Sequence, residues 1–321
     1  MIRDAQVQAT PADAGGRLDV FVQAAFPNAP RSFIRRAIEA GDILLNDRRA
    51  QKGAKLRADD VVRVLALPET ADNRVSPDPS VTPAIVYDDG VLIGADKPAG
   101  MPVQPLSPNE TGTLMNGLVA YAPQLAEVGD SPLLAGALHR IDTWTSGLVL
   151  ASRSEDLWRA LRDLFARREV CKTYLALVEG RVAAPGKVSC ELAHDPRWPV
   201  CRMIERGKAG PRARPLFAET FYRPLHAAGP DTLLEVTIFT GVTHQIRAQL
   251  ALAGHPIVGD ALYGATSGLG ADRGQRLHAL AASFRHPATN ANCRIATPDP
   301  PWAAGASAEI SANLPPEENF R

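Results

Sequence analysis

Residues 70–83, Thr-Ala-Asp-Asn-Arg-Val-Ser-Pro-Asp-Pro-Ser-Val-Thr-Pro, divide this chain. Proline lacks the N–H that a helix interior or central strand needs and restricts the residue before it. Prolines set among Ser, Asp and Thr therefore read as a connection between elements. The chain is expected to fold in two parts: a domain at 1–70, a linker at 71–82 and a larger domain at 83–300. The Pro- and Glu-rich stretch 301–321 reads as a poorly ordered tail. A length of 321 residues gives the same prior of two domains, and 45% hydrophobic residues make disorder over most of the length a poor reading.

Composition removes several function classes. Cys171, Cys190, Cys201 and Cys293 are scattered with no CxxC spacing, which argues against a zinc site or a disulfide framework and fits a reducing compartment. The N-terminus carries Asp4 and has no apolar core of a secretory signal. No run approaches the roughly 18–20 apolar residues of a membrane span. A soluble cytoplasmic protein without membrane contact is expected. Net charge is zero, with 35 basic and 35 acidic residues, but the charges are not evenly spread. Residues 1–65 hold eleven Lys/Arg against eight Asp/Glu, while 296–321 hold four acidic residues and one basic. Arginine far outnumbers lysine, which suits bidentate phosphate contacts and is equally what a GC-rich genome produces.

In the smaller domain, Gly16-Arg17-Leu18-Asp19 opens a helical pattern. A second helix runs from Pro30 to Ala40 with Ile34, Ala37 and Ile38 on one face, and Gly41 is placed to end it in a left-handed cap. Residues 42–46 and 61–64 read as strands. Arg31 and Arg35 sit four apart on one ridge with Arg36 beside them, a pattern that a solvated helix face also explains. The order of helix, arginine-bearing helix, glycine stop, Asn-containing turn and Asp59-Asp60-Val61 strand resembles the S-four RNA-binding domain over about residues 14–66. The resemblance implies an RNA-docking module in which Arg31, Arg35 and Arg36 face phosphates.

The larger domain alternates strand-like segments (84–87, 91–95, 147–151, 172–178, 233–240) with helical ones (113–121, 155–167, 243–253), a pattern of α+β or mixed-sheet type. Ser152 and Glu155 have capping-box spacing before the helix at 155–167, whose stripe is Leu157, Leu161, Leu164 and Phe165.

One string concentrates polar chemistry: His139-Arg140-Ile141-Asp142-Thr143-Trp144-Thr145-Ser146-Gly147, followed by Leu148-Val149-Leu150. Asp142 stands between an arginine and a hydroxyl- and glycine-rich turn, although an Asp before Thr and Ser-Gly also simply organises turns. Tyr174 opens a strand after Lys172 and Thr173, on a definite face, and is equally readable as a core tyrosine. Thr240–Arg247 leaves a strand and enters a helix, with Thr243 suited to the N-cap. His244 and Arg247, three apart, share a face, while Ile246 and Leu250 pack inward. By themselves, Arg247 reads as a surface ion-pair residue and His244 as a partner of backbone near the helix start.

Taken in order, Ala95-Asp96-Lys97-Pro98-Ala99-Gly100, His139–Gly147, Lys172-Thr173-Tyr174, Thr243–Arg247, Pro256–Asp260 with Tyr263-Gly264, and Leu277-His278-Ala279 with Phe284–Pro287 resemble the RluA-type family of RNA pseudouridine synthases. The resemblance covers about residues 83–290. It implies an α+β protein: a small αα-β RNA-binding module, then a pseudouridine-synthase-like catalytic domain of mixed and antiparallel sheets, flanked by helices, with a central cleft. It implies isomerisation of uridine in RNA, by breaking the nitrogen–carbon glycosidic bond, turning the uracil and rejoining it through ring carbon five. No cofactor and no metal are required. Asp142 would act at the ribose or the ring, as carboxylates do at oxocarbenium-like centres. Arg247 would pair with it, and Tyr174 would stack on the uracil and help remove the carbon-five proton. Arg140 would hold or replace the flipped nucleotide, with Lys172 and His244 as further RNA contacts.

Two positions depart from the family pattern: Val242 stands where arginine is usual before Thr-His-Gln, and Asp96 where asparagine is common. The expected protein is a monomer acting on large-subunit ribosomal RNA. The alternatives are the same activity on transfer RNA, an RNA-binding protein that keeps the fold without catalysis, and an unrelated hydrolase using Asp142. The last would want a second carboxylate acid or a metal cluster, and the sequence offers no convincing motif for either.

Overall fold

The computed structural model describes residues 1–51, 53–69, 72, 74–198, 201–210, 213–268 and 274–310. They cluster into two compact units. The first comprises Met1–Ser76, Leu106–Glu110 and Ser131–Leu133; the second comprises Pro77–Pro105, Thr111–Asp130 and the chain from Leu134 onward.

The first unit runs β1 (Ile2–Gln8), α1 (Leu18–Ala25), α2 (Arg31–Ala40), β2 (Ile43–Leu45), β3 (Arg48–Arg49) and β4 (Val61–Leu67). Its antiparallel sheet has the order β1-β4-β2-β3. Leu18, Val22, Ile34, Ala37 and Ile38 of the helices pack on Ile43, Val62, Val64 and Leu67 of the sheet. Gly41 ends α2 at φ +91, a left-handed conformation that glycine adopts without a Cβ penalty, and its N–H and that of Asp42 both bond to the Ala37 carbonyl. β1 was not expected from the sequence. The pairing with β4 skips Asp4, which sits at φ +50, and this irregularity interrupts the alternation by which strands are read.

The second unit runs β5 (Ala84–Asp88), β6 (Leu92–Lys97), α3 (Leu114–Tyr121), β7 (Ser146–Ser152), α4 (Glu155–Ala166), β8 (Cys171–Val178), β9 (Gly186–His194), β10 (Met203–Glu205), β11 (Leu216–Ala228), β12 (Asp231–Ile238), α5 (Gln245–Leu252), β13 (Leu277–Arg285) and β14 (Asn292–Ala296). They form one sheet in the order β10-β9-β11-β12-β8-β13-β7-β6-β5, with β14 on β13. Among the described residues only β13 and β7 pair in parallel. The α+β class and the mixed, mostly antiparallel sheet are as expected. β9, β10, β11, β13 and β14 were not anticipated. β13 is buried along nearly its whole length and carries three alanines, so it lacks the period-two alternation of a half-exposed strand.

Side chains alternate across β8. Tyr174 and Ala176 face Ile246 and Leu250 of α5, while Leu175 packs beneath with Leu233 and Leu280. α4 buries Leu157, Trp158, Leu161 and Leu164 against Leu138, Leu148, Leu150 and Phe284, with Phe165 partly buried at the edge. Each such side chain contributes about 1.5–3 kcal/mol of hydrophobic stabilisation.

Three local expectations are corrected. The cap of α4 is Ser154, whose hydroxyl accepts from the Leu157 N–H at 3.3 Å; Ser152 is still in β7. The N-cap of α5 is His244, not Thr243, in a left-handed conformation at φ +52, and the Gln245 side chain accepts the Val242 N–H instead. The stretch from 301 is not a loose tail as far as Ile310, because Ala303, Ala306 and Ile310 are buried against Leu175 and Leu280. Residues 311–321 lie outside the described residues, as do Ala71 and Asn73 of the expected linker. Among the described residues no helix is long and apolar enough to cross a membrane.

Candidate active site

Asp142 sits on the loop entering β7, and that loop is fixed from both sides. The Lys97 ammonium, completely buried at the end of β6, donates to the carbonyls of Pro98 and Met101 at 2.8 Å each and of Thr143 at 3.0 Å. The Gly100 N–H adds a bond to the same Thr143 oxygen. Burial lowers the Lys97 pKa to about 8, and the Asp142 charge opposes that shift. On the other side Gln275 donates to the Thr145 hydroxyl at 3.0 Å, and the Ser146 hydroxyl is hydrogen-bonded to His278 Nδ1 at 2.8 Å. Gly147 lies at φ +107, and a Cβ there would fall 2.2 Å from the Ala279 carbonyl oxygen, so only glycine admits the β7–β13 join.

Arg247, on the first turn of α5, is 8% exposed and is shared by two carboxylates. It grips Asp260 bidentately, Nε to Oδ2 at 2.6 Å and Nη2 to Oδ1 at 2.9 Å, and Nη1 donates to Asp142 Oδ2 at 2.9 Å. Burial works against the guanidinium charge, but Asp260 and then Asp142 outweigh it, and the Arg247 pKa is raised. Asp260 is 2% exposed, whereas the Asp142 side chain keeps 25% of its surface open. Among the described residues Asp142 Oδ1 accepts no hydrogen bond. The arrangement therefore presents one anchored and one free carboxylate oxygen.

Tyr174 is buried with Ile141, Ile246 and Ala279. Burial first, then the Asp142 charge, raises its pKa above the ordinary phenol range, so the hydroxyl is protonated at neutral pH. His244 Nε2 lies 3.9 Å from Asp142 Oδ2, and its Nδ1 is 3.1 Å from the Tyr263 hydroxyl. Tyr263 also accepts the Met203 N–H at 2.8 Å. Burial lowers the His244 pKa, keeping it neutral at pH 7. The protonated Tyr263 can donate to Nδ1, an assignment that turns the His244 Nε2–H toward Asp142. Among the described residues no three His, Cys, Asp or Glu side chains converge as metal ligands.

A family model described as RNA pseudouridylate synthase matches residues 91–252, half of the chain and the span that holds Asp142, Tyr174 and Arg247. The chain belongs to the RNA pseudouridylate synthase family. It is an isomerase of RNA, as that family is, and a second model, the S4 domain, matches residues 16–62. Ribosomal large subunit pseudouridine synthase D of Neisseria meningitidis serogroup A is 32% identical over 89% of this chain and 76% of that protein. The protein of the same description from Xanthomonas campestris pv. campestris is 34% identical over 89% of this chain and 86% of its own. The solved structure of human RNA pseudouridylate synthase domain containing 1 is 25% identical, with a TM-score of 0.55 over 70% of this chain and 87% of that one.

Not every residue that the family resemblance suggested gathers at this candidate site. Asp142, Tyr174, His244 and Arg247 do, and Arg140 is exposed beside them. Lys172, expected to touch RNA, does not reach the surface. It is 7% exposed, its ammonium donates to the Thr240 carbonyl at 2.7 Å, and burial lowers its pKa to about 8. Arg31, Arg35 and Arg36 lie in the first unit. Arg31 and Arg35 stand 3.7 and 3.5 Å from buried Asp19, which also holds Arg17 at 2.8 Å, while Arg36 lies over the Phe33 ring. Lys97, Asp260 and Tyr263 were given no role from the sequence. Each lay inside a string quoted for the family resemblance, which was the signal available, but burial and pairing are not visible in a string.

Proposed function

We propose that the chain isomerises uridine to pseudouridine in large-subunit ribosomal RNA, with Asp142 as the reacting carboxylate, Arg247 as its anchor and Tyr174 as the wall of the uracil pocket. The observation that carries this reading is the clamped, half-open Asp142. Two relatives described as large-subunit synthases, each at least 32% identical over 89% of the chain, support the choice of RNA. Binding places the target nucleotide, flipped from its stack, against Asp142 Oδ1. The carboxylate acts on the ribose side as the glycosidic bond breaks, and Arg247 keeps it aimed. The freed uracil turns and bonds through carbon five, and the proton leaving that carbon passes by way of Tyr174. Since that phenol starts protonated, it accepts a proton only as it hands its own to solvent, and the ring nitrogen freed from the ribose takes up a proton from solvent in return. Arg140 and His244 line the approach, and Arg31, Arg35 and Arg36 of the 1–70 domain dock the RNA backbone. The free state of all four cysteines supports a cytoplasmic location, and the enzyme is proposed to act as a monomer.

Pseudouridine mapping of total RNA from cells with and without the protein tests activity and target together. A uridine in large-subunit ribosomal RNA loses its modification if the reading holds, whereas loss confined to transfer RNA, or no loss, rejects it. Purified Asp142→Asn should give no detectable product while binding RNA within a few-fold of wild type; near-normal yield would remove Asp142 from the reaction.

A further inference from the structure

Arg202 closes the turn between β9 and β10: the Asp195 N–H donates to its carbonyl at 2.8 Å. Its guanidinium carbon lies 4.5 Å over the Trp198 ring and 5.7 Å from the centre of the Tyr263 ring. Tyr263 is the same ring that Arg247 covers from 5.1 Å, and its hydroxyl meets His244 beside Asp142. Yet Arg202 makes no contact ion pair. Among the described residues no carboxylate comes within ion-pair distance, and its Nε is buried without a hydrogen-bond partner. Asp195, whose carboxyl feels the Arg202 charge only after that of Arg197, is fully buried and already grips Arg197 at 2.8 and 3.0 Å.

A guanidinium stacked on aromatic rings uses its faces and leaves its edge donors free, the geometry suited to bidentate capture of an oxyanion. A partly desolvated cation with no carboxylate in contact is costly, so the arrangement persists best where a ligand supplies a contacting anion. Val242 sharpens the argument. It packs against the cluster of Met203 and Tyr263, at the position where arginine is usual in the resembled pattern. We infer that Arg202 is a substrate-docking residue that binds a backbone phosphate adjoining the target uridine, in place of the cation absent at position 242. The inference rests on the RNA isomerase reading above.

The test measures binding of the full chain to an in vitro transcript of large-subunit ribosomal RNA over a range of salt. Arg202→Met should raise Kd about tenfold and lower the slope of log K against log salt by about 0.7, the value of one single-strand phosphate contact. The loss should appear in KM more than in kcat, and Arg202→Lys should keep most of the slope. An unchanged slope in Arg202→Met, or a fall in kcat with affinity intact, overturns the inference and leaves Arg202 as a brace for Tyr263. If Met lowers the melting temperature, Arg202→Gln replaces it. The binding readout needs no turnover. Failure of the isomerase reading would show instead as absence of pseudouridine with wild-type protein.

Discussion

Arg247 divides its donors unequally between two carboxylates, and the division sets what each can do. Asp260 takes two bonds and is buried, so it serves as counter-ion and support; Asp142 takes one and keeps an open face. Removing either charge should have different consequences. Asp260→Asn leaves a buried guanidinium short of charge and should cost about 2 kcal/mol of stability, whereas Asp142→Asn, with Arg247 still held by Asp260, should melt close to wild type. Thermal melts of the two variants side by side check the order, and equal destabilisation would argue against it. Tyr174→Phe keeps the ring and removes the hydroxyl. If the phenol relays the carbon-five proton, isomerisation should slow about a hundredfold with RNA affinity retained. Release of label from RNA carrying 5-deuterated or 5-tritiated uridine reads this directly, and an undiminished rate would reduce Tyr174 to a packing surface.

At the level of elements, the loop that carries Asp142 depends on the parallel join between β7 and β13. Gly147 permits it, and the buried chain Ser146–His278–Thr297, with bonds of 2.8 Å on each side of the imidazole, fastens it. Gly147→Ala should cost about 3 kcal/mol through backbone strain and collision with Ala279, readable as a lower urea midpoint, and should lose activity along with stability. Burial lowers the His278 pKa from the ordinary 6.5 to about 4. Between these values the unfolded chain binds the extra proton. The stability associated with neutral His278 is therefore complete above 6.5 and drains away as pH falls toward 4. His278→Gln should flatten the decline of melting temperature over that window; an unchanged acid limb would show that other groups govern it.

Across the molecule, a chain of zero net charge carries its cations where they are usable rather than in bulk. The Arg31–Arg35–Arg36 ridge looked in sequence like a row of free charges. Asp19 in fact lies beneath it, gathering Arg17, Arg31 and Arg35 and holding their heads together. If all three ridge arginines contact phosphate, Arg31→Gln/Arg35→Gln/Arg36→Gln should lower the salt slope of RNA binding by about 2 and leave the melting temperature of the larger unit in place. A wild-type slope would return the ridge to a solvated surface.

What the sequence determined by itself was what local chemistry encodes. Helices α2 and α4 followed from their 3.6-residue stripes, the end of α2 from Gly41, and the family from the order of motifs around Asp142. The tertiary structure decided whatever depends on neighbours distant in the chain. The Ala-rich β13 is a strand because it lies between β8 and β7, and a fully buried strand shows no alternation. Lys172 turns inward because the Thr240 carbonyl, 68 residues away, accepts a hydrogen bond from its ammonium. Asp260 and Lys97 acquire their roles only when folding buries them beside Arg247 and the Thr143 carbonyl, since pairing and desolvation belong to the assembled site and not to the string.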